Sequence, residues 1–268
     1  MAFGLGDRLV GVTDFCPLDE NISPIPERVG GTKMPDMERI LGLNPDLIIA
    51  NQEENSRETV TALAEKGIPI WLSFPKSVDQ AIADLWTLVR IFNQERELSP
   101  RIVTLERSLE WTRHAFFDQP RKRYFCPIWK ETDLGWWMTF NQHTYSHTLL
   151  ACCGGENVFA ERERRYPLEA ELGKGPTEDP QGRDTRYPRV TLSEILDAEP
   201  ELILLPSEPY AFNSTDLQEA TELFIDTPAV RRGEIHLLDG RLITWHGIRI
   251  AKAIGALPRY FQSSESFQ

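Results

Sequence analysis

The chain has 268 residues, enough for one large domain or two of ordinary size, and 41% of them are hydrophobic, which suffices to build cores. With 29 basic against 41 acidic residues its formal net charge is −12, which argues against nucleic acid or anionic lipid as the main partner and fits a small molecule or a protein with basic patches. No apolar run approaches the ~18 residues of a membrane span, and residues 1 to 7 lack the basic and apolar regions of a signal peptide, so the chain as it stands reads as cytoplasmic if its start is genuine.

In chain order, Arg8 to Thr13 is a β-branched run read as a strand, with Asp14-Phe15-Cys16-Pro17 as the loop at its carboxyl end. Open α/β sheets place ligands at such ends. Arg28 to Lys33 reads as a second short strand running into a Gly-Gly turn. Asp36 can cap a helix carrying Glu38, and that helix must stop at Pro45. Asp46 to Ala50 is then a buried strand, followed by the polar loop Asn51 to Asn55.

A helix from about Ser56 to Lys66 ends at Gly67, and Ile68 to Leu72 resumes as a strand. Ser77 caps a further helix with Val78, Ile82, Leu85, Leu88 and Val89 at helical spacing. Ser99 is read as the N-cap and Pro100 as the first position of a long helix to Phe117, either a rigid bridge or an ordinary crossover.

Tyr124 to Trp129 opens the second half as a strand, and Lys130 to Trp137 is expected to be a loop that presents Trp136 and Trp137, either to a ligand or to its own lobe. His143 and His147 are four apart on a helix expected to begin after Asn141, half the spacing of a zinc site with no third ligand nearby. Residues 161 to 186 are rich in charge, Pro and Gly and read as a long mobile insertion. Beyond them come the loop Pro206 to Phe212, a helix from Asp216 to Leu223, a strand from Ile235 to Leu238, the segment Leu242 to His246, a closing helix from Ile248 to Ala256 and a polar tail from about Gln262. Cys16, Cys126, Cys152 and Cys153 form no spaced framework and read as small core residues.

One step occurs twice. When Pro45 is set on Pro200, Ile40, Leu41, Asp46, Leu47 and Ile48 fall on Ile195, Leu196, Glu201, Leu202 and Ile203, while Glu38 and Glu194 miss each other by one position. A helix, a proline and a buried strand repeated at this distance point to an α/β fold of two similar lobes, although such steps also recur within single α/β domains.

Enzyme signatures are weak: there is no Gly-x-Ser-x-Gly elbow, phosphate loop or dinucleotide glycine fingerprint, and Asp14, Glu53, Glu54, Asp133 and Glu208 are not paired into an acid/base set. Phe15, Trp129, Trp136, Trp137, Tyr210, Trp245 and His246 converge instead, a lining suited to holding a large, flat, partly apolar molecule. The competing class is a metal-binding protein or enzyme using His143, His147 or His246.

Val10 to Cys16, Arg28 to Lys33, Met37 to Ile48 and Cys153 to Phe159 resemble the substrate-binding proteins of ABC importers for cobalamin and iron chelates. The resemblance implies a non-enzymatic protein with no resident cofactor: an N-terminal lobe over 1–98, a bridging helix over 99–118, a C-terminal lobe over 119–268, and a chelate held in the cleft between lobes. Cobalamin is the expected cargo, with an iron-siderophore or haem as the alternative. Phe15, Lys33, Trp129, Trp136, Trp137, Tyr210, Trp245 and His246 are the expected contacts, with no metal held by side chains alone. The resemblance further implies a monomer outside the cytoplasm, at the periplasm or cell surface, docking on an ABC permease dimer through Glu38 on one lobe and Glu194 on the other. Relative to that family, the strand and helix that open the first lobe are expected to be missing.

Overall fold

A computed structural model describes residues 3–18 and 20–262; the polar tail expected beyond Gln262 lies outside the described residues. It is an α/β protein of two compact units, Met1–Pro75 and Lys76–Gln268. The division falls at Pro75 rather than at residue 98.

The first unit contains β1 (Gly11–Val12), β2 (Glu27–Arg28), α1 (Met37–Gly42), β3 (Ile48–Asn51), α2 (Arg57–Glu65) and β4 (Ile70–Ser73). β1 pairs with β2 and β3 with β4, both in parallel, as two separate two-stranded sheets. The strand expected over residues 8 to 13 is much shorter, because Gly6–Arg8 turns into a single 3-10 helix. Likewise the strand expected from Arg28 to Lys33 is only Glu27–Arg28, since Gly30 takes a positive φ of 87° and turns the chain. Val12, Val29, Ala50 and Leu63 are buried, whereas Val10, Ile49 and Leu72 remain 46%, 50% and 45% exposed. The strand faces of this unit are therefore thinly covered.

The second unit follows as α3 (Val78–Ile91), α4 (Glu95–Ala115), β5 (Lys122–Phe125), β6 (Trp129–Glu131), β7 (Trp136–Met138), α5 (Tyr145–Cys152), β8 (Gly155–Asn157), α6 (Leu168–Glu171), β9 (Arg189–Thr191), α7 (Leu192–Asp197), β10 (Leu202–Pro206), α8 (Ser214–Leu223), α9 (Pro228–Arg231), β11 (Ile235–Leu238), α10 (Arg241–Thr244) and α11 (Ile250–Ala256). A parallel sheet runs in the order β11-β10-β5-β8. A smaller antiparallel sheet runs β6-β7-β9. Every residue of β10 is buried, which explains its uninterrupted apolar sequence. Phe125, Ile203, Leu205 and Phe224 sit at the centre of the core around it.

The long helix is real but begins earlier than Ser99: α4 starts directly after Gln94, which makes no side-chain cap, and carries Pro100 inside it. Pro100 cannot donate to the carbonyl four residues back, a local loss that the burial of Leu98, Ile102, Leu105 and Leu109 along one face offsets. Both α3 and α4 belong to the second unit, and they pack against each other.

The repeated step is visible in the backbone. α1 and α7 each span six residues, and Asn44 and Glu199, the residues before Pro45 and Pro200, take φ values of 46° and 45°. Each proline excludes the right-handed helical region for its predecessor, and both predecessors turn left-handed to end the helix.

The segment 161 to 186 is packed, not the mobile insertion expected. Tyr166, Ala170 and Glu171 are buried, and the Tyr166 hydroxyl donates to the Asp184 carbonyl at 2.8 Å. One Glu171 oxygen accepts from the backbone N–H groups of Arg165 at 3.2 Å and Arg189 at 3.0 Å, closing the segment at both ends. Burial raises the pKa of that carboxyl, against the opposing effect of those two hydrogen bonds. High charge content misleads here because, although most of the segment's charges face solvent, Glu171 is drawn inside and orders the backbone around it.

Candidate functional site

In the second unit the chain order reverses between β10 and β5, the switch point at whose carboxyl edge α/β sheets gather ligands. Loops from both strands meet there: the Tyr210 N–H donates to the Ile128 carbonyl at 3.2 Å, and Trp129 stacks edge-on against Tyr210 at 5.5 Å. Tyr210 leans in turn on Phe212 at 4.6 Å. The next loop is drawn in through glycine: a Cβ on Gly240 would lie 2.4 Å from the Glu208 backbone nitrogen, and the Gly240 N–H donates to the Ser207 hydroxyl at 3.1 Å. That close approach carries α10 to the edge and delivers Trp245 and His246.

Trp245 donates from Nε1 to Glu208 at 2.6 Å, with the Arg249 guanidinium 5.2 Å from its ring. His246 lies edge-on to Tyr145 at 5.8 Å. Trp129 is 41% exposed, and Tyr210, Trp245 and His246 are half-buried. Below Tyr210, Lys130 is held between Asp216 at 2.7 Å and Glu219, both on α8. Burial alone would raise the Asp216 pKa, but the hydrogen bond and charge of Lys130, with the hydrogen bonds from the Asn213 N–H and Tyr210, together outweigh it and hold the carboxyl below its ordinary value. The result is a set of aromatic faces with fixed polar edges, suited to a broad ligand and without a paired acid and base.

Two of the expected contacts belong elsewhere. Trp136 and Trp137 lie on β7, not on a loop, and are buried to 7% and 5% exposure. Strand alternation turns Trp137 into the core, where it meets Phe224 at 5.3 Å, and turns Trp136 to the other face beneath Arg189 at 5.5 Å. Neither offers a face to a ligand.

In the first unit, Phe15 is 69% exposed on the loop after β1. Lys33 follows the turn after β2 and donates through Nζ to the Glu53 carbonyl beyond β3. Asn55 donates to the Thr32 carbonyl at 2.9 Å. These loops are thus tied together at the carboxyl edges of three strands. Sequence reading missed the tie made by Arg28, whose Nη1 donates to the carbonyls of Thr13, Cys16 and Asp14 at 2.6, 2.8 and 3.2 Å. A long-range contact between a side chain and loop carbonyls has no periodic signature. Arg162, whose partner Glu194 lies 32 residues away, leaves no periodic signature either.

Glu38 and Glu194 differ in kind. Glu38 is the second residue of α1 and is exposed, while the N-cap role is filled by Asp36, which accepts from the Arg39 N–H at 3.0 Å. Glu194 is the third residue of α7. Its Oε2 accepts from the Thr191 N–H at 2.9 Å in a capping box, and its Oε1 meets Arg162 Nε at 3.2 Å. The position in α7 that matches Glu38 is Ser193.

His143 precedes α5 and is exposed, and only His147 lies in its first turn, because the helix begins at Tyr145 with Thr144 as its cap. Burial, and then the nearby His143, lower the His147 pKa. Among the described residues no three His, Cys, Asp or Glu side chains come close enough to hold a metal ion. Cys126, Cys152 and Cys153 are buried and Cys16 is half-buried; burial raises the thiol pKa of Cys126 and Cys153 strongly, so those two stay protonated. Among the described residues no helix is long and apolar enough to cross a membrane.

The arrangement is that of a binding protein, and comparison with known proteins identifies the family. Residues 1–242 match the periplasmic binding protein family, and the chain belongs to it. It is a family of binding proteins, not enzymes. A vitamin B12-binding protein of Yersinia pestis (strain Pestoides F) is 30% identical over 166 residues, covering 62% of this chain and 58% of that protein. The chain thus spans somewhat over half the length of the curated relatives it matches. Among solved structures, the periplasmic vitamin B12 binding protein BtuF of Vibrio cholerae superposes with a TM-score of 0.74 at 21% identity, over 97% of this chain and 90% of that one. The apo periplasmic haem-binding protein RhuT from Roseiflexus sp. RS-1 superposes with a TM-score of 0.72 at 18% identity, over 97% and 92%. At such identities these two likenesses establish the fold.

Proposed function

We propose that the protein captures cobalamin outside the cytoplasm and delivers it, as a monomer, to an ABC permease dimer. The observation that carries this reading is the group of aromatic faces at the switch-point edge, Trp129 against Tyr210 and Trp245 against Glu208. Trp129, Tyr210, Trp245 and His246 of the second unit, and Phe15 and Lys33 of the first, are the proposed contacts. The similarity to a vitamin B12-binding protein supports cobalamin over other chelates. Haem or a ferric siderophore is the second reading, favoured by the likeness to a haem-binding fold. Glu38, exposed and free of any capping duty, is the proposed docking residue of the first unit.

Calorimetric titration of the purified protein with cyanocobalamin, haemin and a ferric siderophore tests the reading. Saturable binding of cyanocobalamin supports it. Saturation by haemin or the siderophore alone moves the assignment to the second reading, and saturation by none of the three removes both.

A further inference from the structure

The first unit contains a continuous hydrogen-bonded path from the Phe15 loop to the helix that carries Glu38. One guanidinium nitrogen of Arg28 donates to the Thr13, Cys16 and Asp14 carbonyls at 2.6, 2.8 and 3.2 Å, enclosing the backbone on both sides of Phe15. The backbone carbonyl of the same Arg28 accepts from Arg39 Nη1 at 2.7 Å. Arg39 stands next to Glu38 in α1, and its Nε lies 3.3 Å from Glu27 and 3.5 Å from the capping carboxylate of Asp36. Two backbone bonds run alongside: Asp14 N–H to the Gly30 carbonyl at 2.9 Å, and Asp36 N–H to the Val29 carbonyl at 2.8 Å.

A β1 of two residues gives its loop little anchorage, and Phe15 itself is 69% exposed. An exposed phenylalanine on such a loop would sample many orientations and lose them on meeting a ligand, with a corresponding loss of affinity. A planar guanidinium presenting donors in a fixed fork is suited to holding several carbonyls at once.

From this geometry we infer that Arg28 is a positioning residue: it holds the loop so that Phe15 is presented ready for ligand, and with Arg39 it fixes that loop to the start of α1. The inference rests on the proposed role of Phe15 as a ligand contact. Arg28 acts through Phe15 and does not itself touch the ligand.

A double-mutant cycle on the full chain tests it, using whichever of cyanocobalamin, haemin or the ferric siderophore saturates the unaltered protein. Phe15→Ala and Arg28→Gln are each expected to raise Kd about tenfold, the loss typical of one well-placed contact. In the Phe15→Ala background Arg28→Gln is expected to add less than about twofold, because there is no ring left to position. Arg28→Lys, which keeps a donor near the carbonyls, is expected to fall between wild type and Arg28→Gln. If Arg28→Gln fails to fold, Arg28→Lys replaces it in the cycle with the same expected non-additivity. Equal losses in both backgrounds, or no loss in the single variant, would overturn the positioning role while leaving the proposed function standing. Failure of the unaltered protein to bind any of the three probes would overturn the proposed function and this inference together.

Discussion

Arg162 Nε lies 3.2 Å from Glu194, whose other carboxylate oxygen closes the capping box at the start of α7. A residue that the family resemblance marks as a docking point therefore also holds the start of its own helix. Glu38, at the second position of α1 rather than the third, takes no part in a capping box. The two glutamates therefore predict different phenotypes. Glu194→Ala should lower unfolding free energy by about 1 kcal/mol, the usual cost of a lost cap. Glu38→Ala should leave the urea midpoint unchanged but weaken association with permease-containing liposomes. Equal destabilisation by both would contradict the distinction.

The tryptophans divide in the same way. Trp137→Ala should destabilise the protein by about 3–5 kcal/mol, since it opens a cavity beside Phe224. Trp129→Ala should cost far less stability and act on ligand affinity instead, since that ring is 41% exposed. Denaturant unfolding and ligand titration on the two variants separate the roles, and a Trp129 variant as unstable as the Trp137 variant would place Trp129 in the core.

Lys130 and Asp216 form a pair with side chains only 10% and 7% exposed. Its pH dependence has a defined sign. Burial pushes the Asp216 carboxyl up, but the Lys130 hydrogen bond and charge, with the Asn213 and Tyr210 hydrogen bonds, together bring its folded-state pKa below the ordinary value. Its contribution is therefore complete above the ordinary aspartate range, near 4, and is lost as pH falls through the lower folded value. Lys130→Met should destabilise at pH 7 by roughly 3 kcal/mol, since it leaves a buried carboxylate without its cation, and the deficit should shrink as the pH is lowered through that window. Urea titrations of both proteins from pH 2.5 to 7 measure it, and a deficit that grows on acidification would reverse the sign.

The first unit should exchange its backbone amides faster than the second. Its two sheets have two strands each, with Val10, Ile49 and Leu72 about half exposed, whereas β10 is wholly buried. Two-stranded sheets with thin cores are marginal in water, and opening free energy follows buried contact. Hydrogen exchange read by mass spectrometry should show β3 and β4 exchanging well before β5 and β10. Matched protection across all four would contradict this reading of burial.

Much of the architecture was legible in the sequence because its signals are local. Asp36, Ser56 and Ser77 cap helices where their spacing to the following apolar residues requires it, and the Pro45 and Pro200 steps end in the same left-handed turn. The failures are tertiary. Pro100 at an apparent helix start is carried inside α4 by burial of the face around it, and Trp136-Trp137 looked like a loop because a three-residue strand is too short to show alternation. The ordered segment 161 to 186 depends on Glu171 reaching two distant amides, which no window of composition can reveal. At the site, residue type identified Trp129, Tyr210 and Trp245, but their fixed orientation depends on Gly240 bringing two loops together.

Cyanocobalamin binding can be read at the proposed site itself by quenching of intrinsic tryptophan fluorescence, because Trp129 and Trp245 lie there. A saturable, one-to-one quench is expected, weakened in Trp129→Ala and Trp245→Ala and unaffected by Glu38→Ala. A quench that rises linearly without saturation, after correction for absorption by the corrinoid, would contradict it.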